Sequence, residues 1–534
     1  MSPAGFEIAA TMVKFLSISI LAEALQHAGL LQWSHTGTKP PRKVSLTTTS
    51  KSASSGTCFI MFKGTKVDSH DFAMDAHARG CVAFIGDNPS SLSQLRSDLG
   101  TGASIFCVSN ARAAWAFLEA LANGNPQTRM PLAGITGTNG KTSTVWLMRG
   151  LIDQFAGPMV TIGTLGIYFK DQYLPTSHTS PDPDFLYQAL ANAVDTGAAS
   201  CGMEVSSHSL AQDKLWPVRF DFAGFTSFSR DHLDFHGTEE KYFAAKMRLF
   251  KELLAPGARA ALHHSLAPRA LAAGLATTDY WIYGLDMPPV ESVNRNRVTG
   301  TVIGESAAGS EVEIVIRPQE GGENKFRGTI PVFGTVFVEN FMAALIGCHK
   351  FTGQWVSPEN WARLRPVPGR MEPVKPGKFD PLVFVDYAHT PDALEQVLGF
   401  ARKMSTARGT RLWCVFGCGG DRDRGKRPMM ASACANLADE VIVTSDNPRS
   451  ENPDTIIDQI IPGFPEEFRT RHVRRITDRN QAIIEAVTQA APGDIIVIAG
   501  KGHEAYQEIS GQKLPFDDRE SAADALKLRR GVMR

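Results

Sequence analysis

Short, wholly apolar runs recur along this chain and alternate with stretches whose apolar positions return at helical spacing. In the first part, Cys58 to Phe62, Val82 to Ile85 and Ile105 to Val108 read as strands, and Asp71 to Arg79 as a helix between them. This predicts a small α/β unit. The apolar stretch from Met12 to Ile20 is broken by Lys14, Ser17 and Ser19. It falls short of the roughly 18 apolar residues a membrane span needs, and no small-residue cleavage site follows, so it reads as a first helix. The turn formers of Ala122 to Arg129 read as a linker. A strand at Leu132 to Thr136 then enters a glycine-rich turn and a helix. The alternation continues through Val160 to Ile162, Gly202 to Ser206 and Phe222 to Thr226, the pattern of a parallel sheet with helices on both faces. From Ala260 to Val332, alternating runs such as Glu311 to Arg317 predict appended antiparallel strands. After a second linker at Arg365 to Arg370, the strands Leu382 to Val385, Leu412 to Phe416, Glu440 to Thr444 and Asp494 to Ala499 predict a Rossmann-like domain. The expected fold class is α/β in three domains, 1–128, 129–365 and 366–534.

The length, 534 residues, fits this division at about 150 residues per domain. With 43% hydrophobic and 21% charged residues, disordered and fibrous classes are set aside. Fifty-five basic and 55 acidic residues cancel, leaving no global field for a polyanion, so nucleic acid is not an expected partner. Eight scattered cysteines without a C-x-x-C pair point to a reducing, cytoplasmic setting. A membrane partner is not expected, and the chain is expected to be a monomer.

The most specific local signal is Gly134-Ile135-Thr136-Gly137-Thr138-Asn139-Gly140-Lys141-Thr142, between a strand and a helix. Such a loop turns backbone amides toward phosphate oxygens, a lysine adds a point charge, and a threonine hydroxyl can ligate Mg²⁺. Ile135 stands where the strict pattern has its first glycine. Glu204 ends another apolar strand, where ligands of such sheets bind, and is a candidate Mg²⁺ ligand. The run Ser229-Arg230-Asp231-His232-Leu233-Asp234-Phe235-His236-Gly237 is dense in groups that bind metal or phosphate.

These segments resemble the Mur ligase family, together with Met203-Glu204-Val205-Ser206-Ser207-His208, Ala244-Ala245-Lys246, Pro368-Gly369-Arg370-Met371-Glu372 and Asp386-Tyr387-Ala388-His389-Thr390-Pro391. Gly417-Cys418-Gly419-Gly420-Asp421-Arg422-Asp423, Asp446-Asn447-Pro448-Arg449 and Gly500-Lys501-Gly502-His503-Glu504 extend the match across residues 130–520. The resemblance implies a nucleotide-sugar-binding N-terminal domain, a central P-loop ATPase and a C-terminal domain for the incoming amino acid. It implies ATP and Mg²⁺, an acyl-phosphate intermediate, and amide formation between UDP-MurNAc-L-Ala-D-Glu and meso-diaminopimelate in peptidoglycan precursor synthesis. Two anions must meet in such a reaction, so cations have to neutralise charge before in-line transfer.

Residue by residue, the resemblance gives the nucleotide to Gly137, Thr138, Asn139, Gly140, Lys141, Thr142, Asn340, Arg370 and Asp386. It gives the metal ions to Thr142, Glu204, His232 and Lys246, the last as a carbamate, with Lys141, Lys246 and His232 catalytic. The acceptor falls to Ser50, Thr179, Ser180, Ser207, Gln212 and Lys214. The amino acid falls to Arg422, Asp446, Asn447, Pro448, Arg449, Gly500 and Glu504. The second carboxylate of meso-diaminopimelate is a natural partner for arginine, which lysine-adding members generally lack at the Arg449 position.

Departures from the family pattern gather on the acceptor side. Thr49-Ser50-Lys51 stands for Asp-Ser-Arg, His178-Thr179-Ser180 for Asn-Thr-Thr, Lys214 for an arginine and Phe337 for an asparagine. Lysine lacks arginine's bidentate fork. A paralogous amide ligase with another carboxylate acceptor is therefore the alternative. A non-catalytic relative would show erosion at Lys141, Glu204, His232 or Lys246, and all four are present. A dinucleotide oxidoreductase is disfavoured because the glycines after Gly417 miss the required spacing.

Overall fold

A computed structural model describes residues 15–40, 42–64, 67–176, 178–287, 295–306 and 308–532. Met12 to Lys14 lie outside them, and the first described helix is Ile18–His27, capped by the Ser17 hydroxyl. The chain divides into two compact units: Met1–Thr299 with Ile316–Asn324 and Glu339–Val356, and Gly300–Val315 with Lys325–Val338 and Ser357–Arg534.

The first unit holds two sheets. One contains β1 (Leu31–His35), β2 (Ser45–Thr47), β3 (Thr57–Met61), β4 (Ala83–Gly86) and β5 (Ser104–Val108), in the order β1-β5-β4-β3-β2. Its inner strands are buried on both faces, with Ile60, Ile85 and Phe106 in one apolar cluster and Phe59, Phe84 and Ile105 in another. Period-two alternation divides consecutive apolar residues between the faces, which is why these strands read as unbroken runs.

The other sheet is built from β6 (Leu132–Thr136), β7 (Met159–Gly163), β8 (Gly166–Phe169), β9 (Gln172–Leu174), β10 (Ser200–Glu204), β11 (Phe220–Phe225), β12 (Leu254–His263) and β13 (Tyr280–Leu285). They run in the order β13-β12-β11-β6-β10-β7-β8-β9. β6 lies between β10 and β11, parallel to both, so the turn after it opens at the sheet's carboxyl edge.

β12 and β13 correct the expectation of antiparallel strands from Ala260, because each pairs parallel with the strand before it. Between them the alanine-rich stretch Ala267–Ala273 makes a crossover helix, favoured by alanine's high helix propensity. Alternation appears only further on, in β14 (Asn296–Ser306), β15 (Gly309–Arg317) and β16 (Asn324–Ile330), each shared by residue between the two units.

The stretch read as a linker at Ala122 to Arg129 is a packed turn within the first unit. Asn123 and Gln127 are buried, Asn123 Nδ2 donates to Glu119 O at 2.8 Å, and Asn125 takes a positive φ of 50°. Asn and Gly serve tight turns and free linkers alike, so composition did not separate them. Asn110 Nδ2 donates to Asp213 Oδ2 at 2.8 Å, and Phe117 meets Trp216 edge-on at 5.6 Å, joining the two sheets' surroundings in one unit.

The second unit holds a sheet of β17 (Glu372–Val374), β18 (Leu382–Asp386), β19 (Leu412–Phe416), β20 (Glu440–Val443), β21 (Val473–Arg475) and β22 (Ile495–Ala499), in the order β17-β18-β22-β19-β20-β21. A hairpin, β23 (Tyr506–Ile509) and β24 (Gln512–Pro515), follows. The four strands expected from sequence are the four central ones. The two edges escaped notice because they are short and carry proline or arginine, as edge strands do.

Behind the carboxyl edge of this sheet, Arg479 and Asp518 form an ion pair with no side-chain exposure. Arg479 Nε and Nη2 reach the two carboxylate oxygens at 2.7 Å each, and its remaining donors reach Ser445 O at 3.3 Å and Ala499 O at 3.0 Å. One guanidinium thus fixes the backbone leaving β20 and β22, just ahead of Asp446 and Gly500. Removing one partner strands a buried charge, at a cost of about 3–5 kcal/mol. Asp518→Ala is therefore expected to lower the stability of this unit by that amount in urea denaturation. A loss below about 1 kcal/mol would show that the pair does not hold these loops.

Candidate active site

The glycine-rich segment leaves β6 at Thr136 and enters the helix Lys141–Ile152 through Gly140, whose φ is +87°. Gly137 has φ +151°, and a Cβ there would stand 2.0 Å from Thr226 Oγ1. One on Gly140 would stand 2.4 Å from Asn340 Oδ1, so both positions exclude a side chain and Asn340 packs against the loop. The backbone after β11 braces the turn: Thr138 N donates to Ser227 O and Asn139 N to Ser227 Oγ, both at 2.9 Å. A braced loop feeding a helix N-terminus is the arrangement that binds phosphate.

Thr142, in the first turn of that helix, donates to both oxygens of Glu204 at 3.0 and 2.9 Å. Glu204, at the end of β10, is 2% exposed and also accepts from Thr164 N at 2.7 Å and Thr164 Oγ1 at 3.2 Å. A Cβ on Gly163 would fall 2.1 Å from Glu204 Oε1, so glycine is what admits the carboxylate here. A threonine hydroxyl beside a carboxylate is a hard oxygen donor set, which suits Mg²⁺.

Lys246 enters from the helix Glu239–Glu252, which starts at a Thr238 cap with Glu239 and Glu240 in its first turn. The helix buries Tyr242, Phe243, Met247, Leu249 and Phe250, and Lys246 lies in the same apolar stripe at 1% exposure. Its Nζ donates to Gly137 O at 2.8 Å and lies 4.5 Å from the Tyr242 ring centre. Lys141 Nζ donates to the same carbonyl at 2.9 Å and to Thr138 O at 2.8 Å. Burial, and then the positive charge of Lys141, push the Lys246 amine well below the usual lysine range, against a smaller opposing pull from Asp231.

His232, with φ +51°, lies beside Asp231, Nε2 to Oδ2 at 3.3 Å, and its ring meets His208 at 4.8 Å. His236 contacts the Ser207 hydroxyl at 2.9 Å. Burial lowers the affinity of His208, His232 and His236 for a proton; neighbouring histidines add to it at His208 and His236, and Lys141 and Lys246 at His232. His208 is pushed down to about 4.

The residues expected to hold the acceptor divide into two places. Thr179 Oγ1 meets Thr164 Oγ1 at 3.1 Å, and Ser180 Oγ donates to Glu204 O at 2.9 Å. With Ser207, these surround the end of β10. Gln212 caps the helix Ser207–Ala211, and Lys214 pairs with Asp182 at 2.6 Å. Ser50 belongs to the N-terminal sheet's surroundings, at the start of a 3₁₀ turn.

In the second unit, Arg370 stacks over Tyr387 with 4.8 Å to the ring centre. Asp386 is buried, and its carboxylate accepts from Met371 N and Ala388 N at 2.7 Å each. Asp446 and Asn447 are buried at the end of the β20 loop, and Asp446 Oδ1 has no hydrogen-bond partner. Asn447 Nδ2 donates to Glu504 Oε2 at 2.8 Å. Pro448 leads into Arg449, which donates to Gly420 O at 2.7 Å and lies 3.5 Å from Glu508. Arg422 is exposed nearby: a Cβ on Gly419 would lie 3.0 Å from Arg449 Nη1 and 3.7 Å from Arg422 Cγ. Gly500 approaches closely too, its hypothetical Cβ 3.2 Å from Asp446 Oδ2.

Two contributors were not singled out from sequence. Lys501 is fully buried and donates to Asn447 Oδ1 at 3.0 Å and Glu504 Oε2 at 3.3 Å, holding together residues that the motifs had named separately. Thr164 is the second hydroxyl on Glu204 and carried no motif at all. Lys501 was legible in principle, inside Gly500-Lys501-Gly502-His503-Glu504.

Residues 135–348 match the family model of the Mur ligase middle domain, and residues 369–502 that of the Mur ligase glutamate ligase domain. The chain is 40% identical over 483 residues to the UDP-N-acetylmuramoyl-L-alanyl-D-glutamate--2,6-diaminopimelate ligase of Thermosynechococcus vestitus, covering 89% of this chain and 91% of that one. It is 38% identical over 501 residues to the ligase of the same name from Acidovorax sp., covering 91% and 95%. A solved structure of a ligase of that name aligns with TM-score 0.61 at 32% identity, over 91% of this chain and 95% of that one. Folylpolyglutamate synthase of Mycobacterium tuberculosis, complexed with ADP and AMPPCP, shares the fold at 18% identity, with TM-score 0.56 over 77% and 96% of the two chains.

The histidine cluster predicts a pH dependence. Unfolded, His208 takes up its proton near 6.5, whereas in the folded chain it does so near 4. Between these values the unfolded state binds more protons, so the stability contributed by neutral His208 is complete above about 6.5 and is lost as pH falls toward 4. Imidazole NMR titration is expected to place His208 near 4, and His208→Phe is expected to flatten the urea midpoint across that window. A native titration at 6 or above would refute this.

Proposed function

We propose that this chain, which belongs to the Mur ligase family, adds meso-diaminopimelate to UDP-MurNAc-L-Ala-D-Glu. It is an ATP-dependent ligase that forms a carbon–nitrogen bond. In the reading advanced here, a carboxylate of the acceptor attacks the γ-phosphorus of ATP. A P–O bond forms, the bond to the bridging oxygen breaks, and ADP departs. The amine of the incoming amino acid then attacks the acyl phosphate carbon, and phosphate leaves with the electrons of the C–O bond as the amine gives up a proton.

The reading is supported most by the convergence of Lys141 and Lys246 on Gly137 O, beside the Thr142–Glu204 pair. Lys141 supplies positive charge where the β- and γ-phosphates would lie, and the loop amides from Gly137 to Gly140 cradle them. Thr142 and Glu204 would hold one Mg²⁺, and His232 with carbamylated Lys246 a second. When bound, such ions offset the repulsion between carboxylate and triphosphate. Neutral Lys246 has a lone pair for CO₂: its nitrogen bonds the carbon, a proton leaves, and a carboxylate-like group stands where an ammonium would repel Lys141.

Arg370 and Asp386 are assigned to the nucleotide on their motifs. Asp446, whose buried Oδ1 accepts no hydrogen bond and has Lys501 Nζ 3.9 Å away, receives the ammonium of the amino acid, with Asn447, Pro448, Gly500 and Glu504 shaping the site. Arg449 and Arg422, both beside Gly419, take its second carboxylate. Thr179, Ser180, Ser207, Gln212, Lys214 and Ser50 serve the acceptor. This reading makes the protein a cytoplasmic monomer working on small molecules. Among the described residues, no helix is long and apolar enough to cross a membrane.

A second reading, a paralogue with another carboxylate acceptor, draws on Lys214. Where the family has arginine, this lysine is engaged with Asp182 at 2.6 Å. Phosphate release from ATP, measured with UDP-MurNAc-L-Ala-D-Glu and each of meso-diaminopimelate, L-lysine and no amino acid, separates the two. Meso-diaminopimelate is expected to drive turnover and lysine to do so poorly. Arg449→Ala is expected to raise the KM for meso-diaminopimelate about ten- to a hundredfold, the worth of one charge-assisted contact, with ATP binding barely changed. Equal use of both amino acids would sink the specificity, and use of neither would favour the paralogue.

Lys246→Ala is expected to be nearly inactive and to regain part of its rate with short carboxylates that fill the carbamate's place. No rescue, together with no ¹³C carbamate signal from the unaltered protein in ¹³CO₂-bicarbonate, would remove the carbamate from the mechanism.

A further inference from the structure

A separate cluster of donors lies at the carboxyl end of β12, within the first unit. His263 closes that strand, His264 follows it, and Glu339 comes from the helix Thr335–Thr352. One ligand atom from each of the three lies within 4.8 Å of the other two. His263 Nε2 is 3.0 Å from Glu339 Oε1 without the alignment of a hydrogen bond, and this buried nitrogen has no hydrogen-bond partner.

The surroundings hold all three in place. His263 Nδ1 meets Ser265 Oγ at 2.8 Å, which leaves Nε2 as the atom facing Glu339. The His264 ring lies where a side chain on Gly284 would sit, 2.3 Å from Cδ2, so its orientation depends on that glycine. Glu339 Oε1 accepts from Leu285 N at 3.3 Å. Burial and the neighbouring His263 keep His264 neutral to lower pH than usual.

We propose that His263, His264 and Glu339 bind one transition-metal ion of the zinc class, at a site separate from the Thr142–Glu204 pair. Two imidazoles and a carboxylate are a known zinc donor set that leaves a fourth position open, and imidazole selects zinc, cobalt or nickel over magnesium. The ion would tie the end of β12 to the helix that carries Asn340, the residue packed against Gly140 of the phosphate loop. Metal occupancy would thus stiffen one wall of the nucleotide site without entering the reaction.

The test uses the full chain, stripped with a chelator and titrated with Zn²⁺ by calorimetry in excess Mg²⁺, with Co²⁺ absorption as a second readout. One Zn²⁺ per chain is expected, with intense visible Co²⁺ bands of low coordination number and a higher Tm with Zn²⁺. His263→Gln and Glu339→Gln, on different elements, are each expected to weaken Zn²⁺ binding by at least about a hundredfold. Their metal-free Tm should be unchanged, and Glu204→Gln should retain the ion. Zn²⁺ bound no more tightly than about 1 mM, or bound equally by both variants, would overturn the site. So would a Tm insensitive to Zn²⁺ while both variants melt lower without metal, which is the signature of a plain ion pair.

Discussion

Two lysine side chains donate to one carbonyl oxygen, that of Gly137, and much of the first unit is arranged so that they can. A buried ammonium is costly, and one beside another positive charge is costlier, so burial and Lys141 together push Lys246 toward its neutral form. The Tyr242 ring faces Lys246, the loop carbonyls of Gly137 and Thr138 accept its neighbour, and Asp231 stands near enough to pull the other way. The charge of Lys141 and the amides of the braced loop make this end of the sheet suited to anions. Glu204, hydrogen-bonded to Thr142, places a carboxylate close by.

The second unit handles buried charge differently. Arg479 satisfies Asp518 and two carbonyls at once, and Lys501 joins Asn447 to Glu504. These charges are paired and serve to hold loops. Asp446 is less fully satisfied, since its buried Oδ1 accepts no hydrogen bond and meets Lys501 Nζ only at 3.9 Å.

The central strands and the phosphate loop were legible in the sequence for a local reason. A strand buried on both faces must be apolar throughout, and a loop that closes around phosphate must put glycine where side chains cannot fit, as at Gly137 and Gly140. Edge strands such as Val473–Arg475 obey neither constraint and left no trace. The turn at Asn123 to Thr128 was misread because its residues suit a free linker equally well.

Sequence by itself determined the family and singled out Lys141, Thr142, Glu204 and Lys246 as candidates, because each sits in a short motif legible without the fold. Tertiary structure decided which of these residues meet. Only folding brings Lys501 between Asn447 and Glu504, Thr164 onto Glu204, or Glu339 from a distant helix to the two histidines ending β12. Apart from Lys501 and Glu504, these contacts join residues far apart along the chain, and such pairings come from packing, which no local pattern encodes.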